Sequence, residues 1–280
     1  MKQIINECFD TERALYGSDG LHIKNCRFTG PADGESALKE SKNILAEKCY
    51  FNLRYPFWHV TGAKVDRCRL TGKARAGFWY CRDLEIVSSR LCGIKALREC
   101  ENVNVSDSYI KSNELGWLCK DISLKDTSIE GEYFMLSSSN IHLKNVELKG
   151  KYSFQYVNNG IIEDSMLNTK DAFWHARNLH VKNTVIKGEY LGWYSEGLTL
   201  ENCTIIGTQP LCYCKDLRLI NCKMYECDLA FEKSHVEAII TEPIISIKNP
   251  LSGYIKAPCV DEIILDDKNS TCKISVGANL

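Results

Sequence analysis

Apolar residues along most of this chain fall into a short alternating phrase that returns at a fixed interval. In "LHVKNTVIKG", the first, third, sixth and eighth places are Leu179, Val181, Thr184 and Ile186, with polar residues between them. Two runs of period two around a polar pair read as two short strands and a bend, not as a helix. The phrase also begins at Leu84, Val103, Ile122, Ile141, Gly160, Leu198, Leu217 and Val236, in steps of 19 residues. Earlier copies begin at Leu21, Ile44 and Ala63, with steps of 23, 19 and 21. Self-similarity at such a period marks a solenoid.

The bends identify which solenoid. Between the two strands stands a polar residue: Asn25, Asp107, Asp126, Asn145, Asp164, Asn183, Asn202 or Asn221. A second such column (Asn43, Asp83, Asn102, Asp121, Asn140, Asn159, Asn178, Asp216) precedes each phrase, and Gly30, Gly72, Gly93, Gly131, Gly150, Gly188 and Gly207 follow it. Asn and Asp tolerate left-handed backbone, and glycine carries no Cβ penalty there. Three bends and three strands leave no room for a helix in 19 residues. The expected fold is all-β, a right-handed single-stranded parallel β-helix of about 12 coils, with a length of about 55 Å.

One domain is expected over 1–280, with regular coils over 21–242. The segment 1–20 reads as an N-terminal cap, its "DTERALYG" forming a short helical turn from Asp10 to Gly17. From Pro243 the period fails, and 243–280 reads as an irregular C-terminal cap.

The third strand of each coil departs from simple alternation. Its central pairs are Lys39–Glu40, Trp58–His59, Trp79–Tyr80, Arg98–Glu99, Trp117–Leu118, Leu136–Ser137, Gln155–Tyr156, Trp174–His175, Trp193–Tyr194, Cys212–Tyr213 and Phe231–Glu232. An apolar residue precedes most pairs and a small one follows, so two consecutive side chains sit between two inward ones. That predicts a bulge-like bend. Lys39, Arg98 and Gln155 share the Trp column, and unpaired charges are rarely buried. The pairs therefore read as an outward ribbon, against the competing view that the Trp column fills the core.

Composition narrows the partners. Thirty-five basic residues face 36 acidic ones, a formal net charge of −1, so nothing calls for nucleic acid or an anionic membrane. The first residues carry no signal-peptide pattern and no apolar run spans a bilayer, which makes a cytoplasmic protein the expectation. Fifteen cysteines then read as reduced thiols. Cys26, Cys49, Cys68, Cys203 and Cys222 share one inward column, and Cys81, Cys100, Cys119 and Cys214 another. "CYC" at 212–214 lacks metal-ligand spacing, so no metal and no cofactor are expected.

Three functions fit a ribbon of this kind. The first is binding of an extended carbohydrate-like or other small ligand by Trp58, Trp79, Arg98, Trp117, Gln155, Tyr156, Trp174, Trp193, Tyr194 and Tyr213, through aromatic faces and polar tips. The second is a carbohydrate-active enzyme, a lyase or hydrolase, using His59, Tyr80 and Glu99, or Asp171 and His175, as acid–base groups. The third is a scaffold that covers the ribbon in a homo-oligomer.

The stretches "GESALKES", "RYPFWHV", "AGFWYC", "DAFWHARN", "EYLGWYSEGLTLENCTI" and "LCYCKDLRLINC" resemble the bacterial family called domain of unknown function 3737, grouped with the pectin-lyase-like fold. The resemblance implies a right-handed β-helix and carries over no substrate or catalytic residue. The calcium-binding carboxylate cluster of pectate-lyase-like proteins is missing from the outward columns here. So are the Gly–His–Gly and Arg–x–Lys motifs of polygalacturonase-like proteins, and the adjacent Asp266 and Asp267 lie in the terminal cap.

Overall fold

The computed structural model describes residues 1–30 and 35–277, in two compact units, Met1–His142 and Leu143–Leu280. Among the described residues there is no helix. Each unit is a right-handed parallel β-helix, and together they hold about 14 coils.

In the first unit, one side is built by Lys2–Ile5, Asp19–Lys24, Lys42–Glu47, Thr61–Asp66, Arg82–Val87, Glu101–Ser106 and the start of Lys120–Glu132. Its register runs Leu21, Ile44, Ala63, Leu84, Val103, Ile122, the positions that the sequence repeat aligns. The next side stacks Phe28 on Phe51, Leu70, Leu91 and Ile110. Ring centroids 4.8 Å apart in Phe9–Phe28 and Phe28–Phe51 reproduce the strand spacing inside the core. In the second unit, Gly160, Leu179 and Ile162, Val181 repeat this register on one side, and Leu148, Leu167, Ile186, Ile205 on the next.

The count exceeds the expected 12 because pairing continues at both ends. Lys2–Ile5 lies in register on Leu21–Lys24, so the chain winds from its second residue. The expected helical turn at 10–17 does not form: Arg13, Leu15 and Gly17 send their N–H groups to Glu35, Ala37 and Lys39 of the following coil. Arg13 is also left-handed at φ 53°, which an α-helix cannot hold. After 243, Ser252–Ala257 pairs in parallel with His235–Ile240 at a shortened step, and Lys273–Val276 pairs with Ser252–Ala257 at the step of the regular coils.

The polar bends are left-handed, as their residue types require. Asn25, Asp107, Asp164, Asn183 and Asn202 lie between φ 49° and 54°, and Asn43, Asp83, Asn102 and Asp121 between 52° and 56°. Side-chain amides bridge successive bends, for example Asn102 to Asp83 at 2.6 Å and Asn183 to Asp164 at 3.1 Å. Of the glycines after the second strand, Gly188 and Gly207 permit close approach: a Cβ there would lie 2.3 Å from the carbonyl oxygen of Thr169 or Gly188.

All fifteen cysteines are free thiols. The column that follows each second-strand bend is a hydrogen-bonded ladder. Cys49 N–H donates to Cys68 Sγ at 3.3 Å, Cys68 N–H to Ser89 Oγ at 3.0 Å, and Ser89 N–H to Ser108 Oγ at 3.1 Å. Each side chain in turn donates to the carbonyl two residues earlier, as Cys68 does to Asp66 at 3.4 Å and Ser89 to Val87 at 2.8 Å. A thiol here does the work of a hydroxyl while burying a more apolar atom. Elsewhere burial pushes the Cys212 and Cys227 thiols up to about 12 and Cys214 up to about 11, which keeps them protonated and unreactive.

Candidate functional site

On the third side of the coils the burial order is buried, half-buried, exposed, buried. Phe57, Trp58, His59 and Val60 show it, as do Phe78 to Cys81, Phe154 to Val157 and Phe173 to Ala176. Two neighbouring side chains do point outward, but no bulge produces this. Trp58, Trp79 and Arg98 stay in register. The second member of each pair is left-handed instead: His59 (57°), Tyr80 (53°), Glu99 (51°), Leu118 (56°), Tyr156 (57°), His175 (54°), Tyr194 (60°) and Tyr213 (61°). That single residue reverses the alternation, at a steric cost unusual for bulky side chains. At 231–234 the order places Phe231 inward and makes Glu232–Lys233 the outward pair, one residue later than the aligned sequence suggests.

Two pairs are preceded by glycine for a specific reason. Gly116 (φ 77°) and Gly192 (φ 75°) underlie large side chains of the next coil. A Cβ at Gly116 would meet Met135 Sδ at 2.4 Å, and one at Gly192 would meet Leu211 Cδ2 at 2.8 Å.

The Trp column is neither core nor free surface. Trp58, Trp79, Trp117, Trp174 and Trp193 are all half-buried. Trp58 stacks on Trp79 at 5.4 Å, and Trp174 on Trp193 at 5.5 Å with 6° between planes. The indole N–H of Trp117, Trp174 and Trp193 donates to the carbonyl sixteen residues on, at Tyr133, Tyr190 and Gln209, over 2.7 to 2.8 Å. Gln155 makes the equivalent bond to Asp171 O at 3.4 Å, which explains how an amide shares a column with indoles. The cations in the column belong to the same stack. Lys39 Nζ caps the Trp58 ring at 4.1 Å, and the Arg98 guanidinium lies 5.9 Å from Trp79 and 5.7 Å from Trp117.

The outer column of the first unit brings His59, Tyr80 and Glu99 together. His59 and Tyr80 ring centroids are 5.0 Å apart, and His59 Nδ1 lies 4.0 Å from Glu40 Oε1. Glu99 accepts from Arg98 Nε at 3.1 Å and from Trp79 Nε1 at 3.5 Å. Its hydrogen bond also holds the Tyr80 phenol above its ordinary range, so Tyr80 stays protonated.

The second unit carries a longer ladder. Tyr156, His175, Tyr194 and Tyr213 stack at 4.9, 5.0 and 4.9 Å, with interplanar angles of 8°, 8° and 13°. They form one wall of a groove of about 570 Å³; the other wall is Asn158, Arg177, Glu196 and Lys215, and Val157 lies in its floor. Arg177 Nε lies 3.7 Å from Glu196 Oε2. Lys215 makes no ion pair among the described residues. Burial, with Glu232 nearby, raises the Tyr213 phenol.

Asp171 does not join this group. It is buried at a left-handed bend, 4.0 Å from Lys170 Nζ, and burial raises its carboxyl above the usual range. No hydrogen bond or ion pair links it to His175 among the described residues. Among the described residues no group of three or more His, Cys, Asp or Glu side chains is placed to hold a metal ion.

The sequence reading missed the wall of Asn158, Arg177, Glu196 and Lys215. The signal was present, since each stands two residues after an outward ring and recurs every 19 residues. It is the same signal that any solvated face of a coil gives.

No curated protein matches the chain. Among solved structures it is similar to PfbA, a surface adhesin of Streptococcus pneumoniae, at 10% identity and a TM-score of 0.43 over 76% of this chain and 71% of that one. The Azotobacter vinelandii mannuronan C-5 epimerase AlgE4 A-module gives 8% identity and a TM-score of 0.33, over 98% and 88%. The catalytic unit of a GH87 alpha-1,3-glucanase from Streptomyces thermodiastaticus gives 10% and 0.34, over 92% and 54%. Likeness at this level says nothing of a ligand. A family model described as "Protein of unknown function (DUF3737)" matches residues 2–276, and with the coils, bends and outward pairs in place along that span the chain belongs to this family.

Proposed function

We propose that the protein is a carbohydrate-binding module whose ligand lies along the groove of the second unit. The observation that carries this reading is the groove's two-sided wall: four hydrogen-bonding ring edges on one side and an amide, a guanidinium, a carboxylate and an ammonium group on the other. Such a mixture suits a partner rich in hydroxyls, which both donates and accepts. A single-stranded nucleic acid needs a basic channel and open aromatic faces. Here the charges are balanced and the ring faces cover one another.

The reading as a lyase or hydrolase has less behind it. His175 has tyrosines on both faces and, among the described residues, no hydrogen bond or ion pair to a carboxylate, while Asp171 turns toward Lys170. In the first unit Tyr80 is held protonated by Glu99, which suits it poorly to act as a base.

The test is calorimetric titration of the full chain with soluble oligosaccharides, before and after Tyr194→Asn. Asparagine tolerates the left-handed backbone at that place, so the coil is kept while the ring edge is removed. Loss of binding with unchanged circular dichroism supports the groove. Equal binding by the variant, or none by the wild type across neutral and acidic sugars, refutes it.

A further inference from the structure

We propose that the groove reads one sugar per coil, through four subsites, and that its occupant is a chain of equatorially linked pyranoses. The inference rests on the carbohydrate reading above and adds the linkage class and the length of the ligand.

The argument is one of period. The four rings repeat at 4.9, 5.0 and 4.9 Å. An extended polypeptide advances about 3.3 Å per residue in a strand and about 3.1 Å as polyproline II. A stacked nucleic-acid strand advances about 3.4 Å per nucleotide. Neither keeps step with the rings over four coils. An equatorially linked pyranose chain is an extended ribbon whose advance per sugar is close to one coil, whereas the axial-to-equatorial linkage of a malto chain shortens and curls it.

Ring orientation fixes the mode of contact. Interplanar angles of 8° to 13° leave ring faces against ring faces, so the ligand meets phenol oxygens and an imidazole edge. Equatorial hydroxyls along the edge of a sugar ribbon are the matching groups. Each coil adds a polar tip two residues on, Asn158 with Tyr156 and Lys215 with Tyr213, so every subsite has two contacts. The tips run neutral, cationic, anionic and cationic from Asn158 to Lys215, an order that gives the site a direction. Above Tyr213 the outward pair changes to Glu232 and Lys233, and Glu232 is engaged by Lys248 Nζ at 3.1 Å, so the rings stop there.

The experiment titrates the full chain with cello-, xylo- and chito-oligosaccharides of one to six sugars, and with malto-oligosaccharides as the axially linked control. In at least one equatorial series, Kd should tighten about two- to tenfold with each added sugar as far as four and then stay flat. The malto series should show no stepwise gain. Tyr213→Asn should move the plateau from four sugars to three. A plateau at another length, or equal stepwise gains in the malto series, overturns one sugar per coil while leaving a carbohydrate site standing. Absence of binding in every series overturns the linkage and length, and the carbohydrate reading falls with them if acidic oligosaccharides also fail to bind. The wild-type series decides the matter even if the variant fails to fold.

Discussion

Replacing Cys68 by valine removes one rung from the inward ladder and leaves its neighbours without a partner. Cys49 N–H, now bonded to Cys68 Sγ at 3.3 Å, becomes a buried donor with nothing to meet. The carbonyls of Ala46 and Asp66, each 3.4 Å from that sulfur, lose a weak donor. An orphaned buried donor costs about 1–3 kcal/mol. Valine has the stronger strand preference and a more apolar side chain, so propensity alone predicts the opposite sign. Cys68→Ser keeps donor and acceptor, as Ser89 does one coil on, and should change stability by less than about 1 kcal/mol. Repeat arrays need not unfold in one step, so the informative assay is local: hydrogen exchange of the Cys49 amide. In Cys68→Val its protection should fall about tenfold to hundredfold relative to Cys68→Ser. Equal protection in the two variants would show that the ladder is packing alone.

Other outcomes follow from single contacts. Asp171→Asn should stabilise the protein at neutral pH: the buried carboxyl has a raised folded-state pKa, so stability falls as pH rises from the unfolded-state value through the folded one and the full penalty holds above it. The gain should vanish in acid, where both states are protonated; a denaturation midpoint measured against pH checks the sign. Gly192→Ala should cost about 2–4 kcal/mol, the left-handed penalty plus overpacking against Leu211 Cδ2 at 2.8 Å, and Leu211→Ala in the same chain should relieve the packing part. Trp193→Phe keeps the stack but deletes the bond to Gln209 O at 2.8 Å, a loss of about 1 kcal/mol by chemical denaturation. Glu99→Gln should bring the Tyr80 phenol back toward its ordinary range, read by ultraviolet titration of tyrosinate.

The fold was legible because each coil states it independently. Leu21, Ile44, Ala63 and Leu84 align by eye and pair in register, and the Asn and Asp columns name the bends. The ends were read less well, for a physical reason: without a neighbour's copy to match, "DTERALYG" offers only local helix signals. Pairing with Glu35, Ala37 and Lys39 overrides those signals. The outward pair was legible as a break in alternation, but its device was not. A bulge adds a residue to one strand, whereas a left-handed residue inverts direction without changing the count, and both leave the same trace in one sequence. The indole bonds to the carbonyl sixteen residues on were also hidden, and only Gln155, which makes the same bond, hints at them.

The same regularity limits what an aromatic column can mean. In-register coils hold equivalent rings about 4.8 Å apart, nearer than the thickness of a sugar plus two ring faces allows. Nothing can slide between Tyr156, His175 and Tyr194, whose centroids stand 4.9 and 5.0 Å apart. Rings at that spacing satisfy one another through their faces and stabilise the coil stack, as Phe28 and Phe51 do inside. What they offer a partner is restricted to their rims, and a rim is polar only where the residue is Tyr, His or Trp. Trp174 and Trp193 spend their N–H groups on the backbone, so on the proposed reading ligand contact falls to Tyr156, His175, Tyr194 and Tyr213, whose left-handed backbone turns them outward. A ladder of indoles alone would therefore be structural, and on the proposed carbohydrate reading the column of Tyr156, His175, Tyr194 and Tyr213 beside it is the one left to meet a ligand.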